Sequence, residues 1–183
     1  MAFSRPPKKN QPKEPKEFQE EVIQIDRVTR VVKGGRRLRF RATVVIGNLK
    51  GKVGVGVGKS NEVVNAIQKG ISKAKKNLIS VNIYKETIPH EIKVKYKTAK
   101  LIMLPASLGT GLISGGSVRK VIELAGIKNI ITKCLGASNR INNAKATILA
   151  LEKLKKREEK KTQPEKTQQE QEAEKNSKSK ITT

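Results

Sequence analysis

Two consecutive period-two runs constrain this chain more than any other feature. Leu38, Phe40, Ala42, Val44 and Ile46 alternate with Arg37, Arg39, Arg41 and Thr43, and from Val53 to Gly58 valine and glycine alternate strictly. Successive side chains of a strand point to opposite faces, so both runs are predicted strands. The first is half-buried and carries a row of arginines on its open face. The second offers valines to a core and a bare glycine face that another backbone can approach closely.

The flanks extend the pattern. Residues 22–32 are rich in β-branched side chains and read as a strand, closed by a Lys33-Gly34-Gly35-Arg36 turn in which glycine supplies positive φ. A second turn spans Gly47–Lys52, and Ser60 is the predicted N-cap of a helix reaching about Leu78, with Val63, Ala66/Ile67, Gly70/Ile71 and Ala74 as its apolar stripe. The order of this block is β-β-β-α. A second block, β-β-α-β-α, comprises strands at 88–96 and 100–105, a Gly-rich loop, a helix from Gly116 to Ala125, a strand at 127–135 and a helix from about Asn142 to Lys155. The predicted class is α+β: two small α/β domains, at 21–86 and 87–155. The Pro- and Lys-rich residues 1–20 and the Lys/Glu/Gln/Ser-rich residues 156–183 are predicted to be disordered extensions.

Charge then narrows the function. The 183 residues carry 40 Lys+Arg against 16 Asp+Glu, a formal net charge of +24. Most of the excess lies in the patterned middle: +12 over residues 22–86 and +8 over 87–154, with the ends adding little. A folded surface this basic calls for a polyanionic partner. With 3% aromatic residues and no Trp, a large aromatic-walled pocket is not expected. Cys134 is the one cysteine and His90 the one histidine, which removes intrachain disulfides, Cys-based zinc sites and most His-assisted nucleophiles. Both are expected to be packed or partly packed rather than reactive. No secretory h-region and no bilayer-length apolar run is present, so a soluble intracellular protein without a membrane partner is expected.

Several motif matches fail. Gly58-Lys59-Ser60 lacks the P-loop glycine five positions earlier, where Val53 stands. Gly54 to Gly58 misses the dinucleotide fingerprint because Lys59 follows. Gly51-Lys52-Val53-Gly54 matches a KH clamp but lies between strands, and no strand carries the stacked aromatics of an RRM. With six acidic residues scattered over 22–154, no acid–base pair is legible. No catalytic residue, metal ligand or cofactor is expected, and the chain does not read as an enzyme.

The sharpest chemical feature is the hairpin around Lys33 and Arg36, continuing into Arg37, Arg39 and Arg41, which points up to five cations outward. Arginine adds bidentate donors for phosphate. Its alternative is a solvated hairpin kept polar against edge pairing, but no acidic residue occurs between Lys33 and Asn61. The full candidate RNA-binding set is Arg27, Arg30, Lys33, Gly34, Gly35, Arg36, Arg37, Arg39, Arg41, Lys50, Lys52, Lys59, Lys69, Lys73, Lys76, Lys93, Lys95, Lys97 and Arg119. A second candidate is the hydroxyl-bearing loop with Ser107, Gly109, Thr110, Gly111, Gly115 and Gly116, which leads into a helix N-terminus. It reads as an anion site or as a turn that needs small residues.

The segments 30–37, 51–59 and 66–69, followed by 104–116, 123–127 and 136–142, resemble bacterial-type small ribosomal subunit protein five. Several long motifs in the same order cover about residues 20–155, a specific match. The resemblance implies a first domain like the double-stranded-RNA-binding fold, and a second α/β domain with a left-handed βαβ crossover. It implies a non-catalytic protein on 16S-type rRNA between body and head of the small subunit, beside proteins four and eight and the path by which mRNA enters, influencing assembly and decoding accuracy. Lys33–Arg37 would then lie near the neck RNA, and the Gly109–Gly116 region toward protein four. Arg140 stands where relatives often have proline, and residues after about Lys156 match nothing in the family. The implied location is a small ribosomal subunit, cytoplasmic or organellar. Two rival classes are a general architectural nucleic-acid binder and, since the second domain shares its fold with small-molecule kinases, a nucleotide-using enzyme.

Overall fold

The computed structural model describes residues 17–155; the predicted disordered ends lie almost wholly outside them. Strand β1 (Gln19–Val32) and strand β2 (Gly35–Gly47) form a long antiparallel hairpin, and β3 (Lys52–Ser60) continues the sheet. Helix α1 (Val63–Lys76) follows, and β4 (Leu78–Ser80) closes the sheet in the order β1-β2-β3-β4. β1 begins at Gln19, two residues before the expected domain start. Ser60 does not cap α1: it is still paired with Phe40 as the last residue of β3, and Glu62 takes the N-cap position. β4 was not expected, because three residues carry too little periodicity to be seen in sequence.

The second sheet has the order β5-β6-β8-β7, from β5 (Ile92–Tyr96), β6 (Ala99–Pro105), β7 (Leu112–Ile113) and β8 (Ile130–Gly136). β7 runs parallel to β8, with helix α2 (Gly116–Ala125) as the crossover, and α3 (Arg140–Glu152) ends the described fold. Residues 88–91, expected in the first of these strands, are irregular. The chain there leaves a turn in which Lys85 and Glu86 adopt positive φ, and Ile88 is buried without pairing. The short β7 is another unexpected strand, hidden inside the Gly-rich segment.

Four layers result: α1, the first sheet, the α2–α3 layer, and the second sheet. Ala42, Val44 and Ile46 face α1 together with Ala66 and Ala74. Val45, Val53 and Val55 point the other way, into one core shared with Val94, Leu101 and Met103 of the second sheet and Val118, Ile122 and Leu151 of the helices. β2 is therefore half-buried only up to Arg41. From Ala42 to Ile46 it is buried on both faces, Thr43 included. The consecutive apolar run Val44-Val45-Ile46 is the sequence trace of this two-sided burial.

Glycines set the distances between layers. A Cβ at Gly56 would lie 2.1 Å from Gly70 O, and one at Gly58 2.0 Å from Ala66 O, so α1 rests directly on the glycine face of β3. At the domain junction, Leu49 N donates to Leu124 O (3.1 Å) and Gly51 N to Ala125 O (2.9 Å). The β2–β3 turn is thereby seated on the C-terminus of α2, where Gly126 takes φ +90°.

Candidate nucleic-acid interface

The β1–β2 register leaves a two-residue loop, Lys33-Gly34, with Val32 opposite Gly35. Gly34 has φ +89° and Gly35 φ +155°, which meets the predicted need for glycine. β3 ends opposite Phe40, so the hairpin beyond that point has neither a third strand nor a helix over it. Arg30, Arg37 and Arg39 lie on one exposed face; Arg27 and Arg36 lie on the other, with Lys33 at the tip. None of these six makes an ion pair with a described residue.

Arg41 differs from the expected outward cation. Its Nε and Nη2 donate to Asp26 Oδ2 at 3.0 and 2.7 Å across the strand pair. Gln24 Nε2 also donates to Asp26, at Oδ1. Burial pushes the Asp26 carboxyl up, but the hydrogen bonds from Arg41 and Gln24 and the charges of Arg41 and Arg140 outweigh it and hold the group below its ordinary value. Four cations of the hairpin strip, rather than five, remain free between Lys33 and Arg41. The missed partner was legible only through register: Asp26 lies 15 residues back, directly opposite Arg41.

A second basic surface runs along α1. Ala66, Gly70 and Ala74 face the sheet, which turns Lys69, Lys73 and Lys76 to solvent at spacings of four and three. Lys59 on the β3 edge joins Lys69 and Lys73 around a shallow concavity completed by Val57, Asn65, Gln68 and Ser72. Cations for phosphate beside amides and a hydroxyl for ribose suit an A-form backbone. Lys50 and Lys52 are exposed at the β2–β3 turn, which Asn48 Oδ1 braces by accepting from both of their amides at 2.9 Å. Arg119 is exposed on α2. Lys93 and Lys95 sit apart from these on the outer face of the second sheet, and Lys97 forms the β5–β6 turn with φ +52°.

The Gly-rich loop is built rather than loose. Buried Asn129 accepts at Oδ1 from Gly109 N (3.2 Å) and Gly111 N (3.0 Å), and Ser107 Oγ lies 3.1 Å from Thr110 Oγ1. Gly109 and Gly111 have φ +91° and +76°, with nothing within 4 Å of an added Cβ. Backbone conformation, not close packing, requires glycine there. Asn129 takes up two of the amides that an anion would have used. Gly115 is the N-cap of α2 without a side-chain cap; Gly115, Gly116 and Ser117 line a cleft with Lys120, Ser138, Arg140 and Asn143. Lys120 is engaged with Glu21 (2.7 Å) and with Val22 O (2.8 Å).

Arg140 is the first residue of α3, two before the expected start. Asn139 caps the helix by accepting from Ile141 N at 3.0 Å. The first helical position needs no N–H partner, so arginine and proline are equally compatible with the turn. Cys134 is half-buried with Gly115 beside its Sγ, and burial pushes its thiol up. Gly58-Lys59-Ser60 is the end of strand β3, with Gly58 pressed against α1, rather than a loop opening a helix as a P-loop requires.

A two-sheet, helix-filled frame that raises cations, unpaired by any described residue, on a projecting hairpin and a helix row is the geometry of a basic protein suited to a polyanionic partner. Comparison makes this specific. Residues 18–82 match the family model for the ribosomal protein S5 N-terminal domain, and 94–163 that for its C-terminal domain, so the family match runs past Lys156, where none was expected. Small ribosomal subunit protein uS5c of Rhodomonas salina is 54% identical over 140 residues, 76% of this chain and 83% of the relative. Small ribosomal subunit protein uS5 of Campylobacter jejuni strain 81-176 is 53% identical over 139 residues, 76% of this chain and 95% of the relative. The chain belongs to the ribosomal protein S5 family, structural and non-enzymatic proteins of the small ribosomal subunit.

Proposed function

We propose that this protein anchors 16S-type rRNA at the junction of body and head of the small subunit, near the path by which mRNA enters, and thereby supports assembly and translational accuracy. The observation that carries the reading is the free hairpin, with Arg30, Arg37 and Arg39 on one face and Arg27 and Arg36 on the other. Two cationic faces on one rigid ribbon suit a place where separate RNA segments converge. The α1 row Lys69, Lys73 and Lys76, with Lys59, supplies a further phosphate-facing surface, and Lys50 and Lys52 extend it. Recognition is by backbone and shape, because A-form grooves hide base edges from side chains. In this reading the braced loop Ser107–Gly111 and the 115–116 corner contact a neighbouring protein, with proteins four and eight as the family-based candidates.

The test is binding to folded small-subunit rRNA and to duplex DNA across a salt series. Affinity for rRNA should fall by orders of magnitude between about 50 and 200 mM salt as counterions are taken back up. It should also exceed affinity for DNA. Equal affinity for DNA would favour a general architectural binder. In cell extract the protein should sediment with small subunits and leave them only in high salt.

A further inference from the structure

We propose that the cleft between the start of α2 and the start of α3 binds a phosphate group. The side chains that make the site, Ser117, Lys120, Ser138, Arg140 and Asn143, belong to none of the surfaces assigned above to RNA or to a neighbouring protein. The inference does not rest on the ribosomal reading.

α2 begins in the open. Its N-cap Gly115 offers no side-chain acceptor, its first turn holds no acidic residue, and a Cβ at Gly116 would meet nothing within 4 Å. The first amides of a helix have no partner within it, so those of Gly116 and Ser117 call for an acceptor from outside.

Asn143 on α3 points independently to the same acceptor. The residue is 7% exposed and lines the cleft, so what remains accessible of its side chain opens there. Asn143 N donates to Asn139 O, and Asn143 O accepts from Thr147 Oγ1, but the side-chain amide has no hydrogen-bond partner among the described residues. Buried amides are rarely left in that state. Lys120 Nζ gives one donor to Glu21 Oε1 (2.7 Å) and one to Val22 O (2.8 Å), which leaves a third. Glu21 offsets its charge. The uncompensated cation is Arg140, exposed and without an ion pair to a described residue.

The chemistry selects the ligand. The cleft, of about 600 Å³, gathers the Gly116 and Ser117 amides, two serine hydroxyls, an ammonium, a guanidinium and a carboxamide. These are more donors than the two oxygens of a carboxylate take up. A phosphate monoester brings three terminal oxygens and matches the fork of Arg140. No aromatic residue lines the cleft among the described residues, so a base or ring has nothing to stack on.

The test titrates inorganic phosphate into the full-length protein at constant ionic strength, read by amide NMR. The Gly116 and Ser117 amides and the Asn143 side-chain amide should shift saturably with one Kd, while Gly34 in the basic hairpin does not saturate. Arg140→Gln and Asn143→Leu should each raise Kd about tenfold, and Arg140→Lys should keep most of the binding. Asn143 is buried and its variant can lose the fold; Arg140 is exposed, so its variant decides alone. Shifts that rise linearly everywhere, or binding unmoved by Arg140→Gln, would overturn the site. A photo-activatable residue at Ala137, on the cleft wall, then finds the source in assembled small subunits. A cross-link to one stretch of rRNA makes it an RNA phosphate. No RNA cross-link, with a phosphate compound released by acid from the purified protein, makes it a free one. Neither result, or a cross-link to a carboxylate-bearing protein segment, overturns the proposal.

Discussion

Arg41 Nη2 lies 2.7 Å from Asp26 Oδ2, on side chains that the β1–β2 register places directly opposite one another. The pair stands where the hairpin leaves the body of the protein. On its inner side β2 is buried on both faces; on its outer side the arginines are free. It marks the boundary on a single strand between a cation paired within the described fold and cations that are not.

Acid titration should expose that pair. The Asp26 carboxyl is held below its ordinary value in the folded state, so its stabilisation is complete above the unfolded value, about 3.9, and is lost as pH falls through the lower folded value. Asp26→Asn should cost about 1–2 kcal/mol at neutral pH and flatten the acid limb of a stability-versus-pH curve. Urea unfolding at a series of pH values reads both effects, and an unchanged acid limb would contradict the assignment.

Charge reversal at Arg37 and Arg39 separates binding from folding. Both are exposed without ion-pair partners in the described fold, so Arg37→Glu with Arg39→Glu should leave the melting temperature within a degree or two. rRNA affinity should drop at least about tenfold, and the slope of log affinity against log salt should shrink by roughly two. A comparable loss of stability would instead make those arginines structural.

Glycine substitutions should sort by layer. Gly58→Ala places a methyl 2.0 Å from Ala66 O and 2.5 Å from Gly70 N, both backbone atoms that cannot move alone; a loss of about 3 kcal/mol or more is expected. Gly116→Ala meets nothing within 4 Å at the start of α2 and should be neutral, or stabilise by up to about 1 kcal/mol. In thermal melts Gly58→Ala should lower the melting temperature clearly while Gly116→Ala does not lower it, if the layer spacing is as described.

Asn129→Ala should loosen the Gly-rich loop without unfolding the sheet. The amides of Gly109 and Gly111 would lose their shared acceptor, and hydrogen exchange at those two positions should accelerate while β6 and β8 stay protected. The cost of the vacated buried bonds is about 1–3 kcal/mol. Retained protection at both glycines would show that the loop is held by other contacts.

Much of this protein was determined by its sequence alone. The alternation from Leu38 to Ile46 and from Val53 to Gly58 determined two strands and their faces, and the Ala66–Gly70–Ala74 stripe determined which side of α1 meets the glycines. The charge excess and the Lys33-Gly34 turn marked the basic hairpin. These features depend on local periodicity and backbone conformation, which neighbouring residues encode. Tertiary structure decided the rest: the second burial of Thr43 and Val45, the tie from Arg41 to Asp26, the clamp of Asn129 on the glycine loop, and the strands β4 and β7, which exist only because partners lie beside them. Each joins residues from 15 to about 80 positions apart. A period-two pattern says that a face is apolar or charged, but not what will come to cover it.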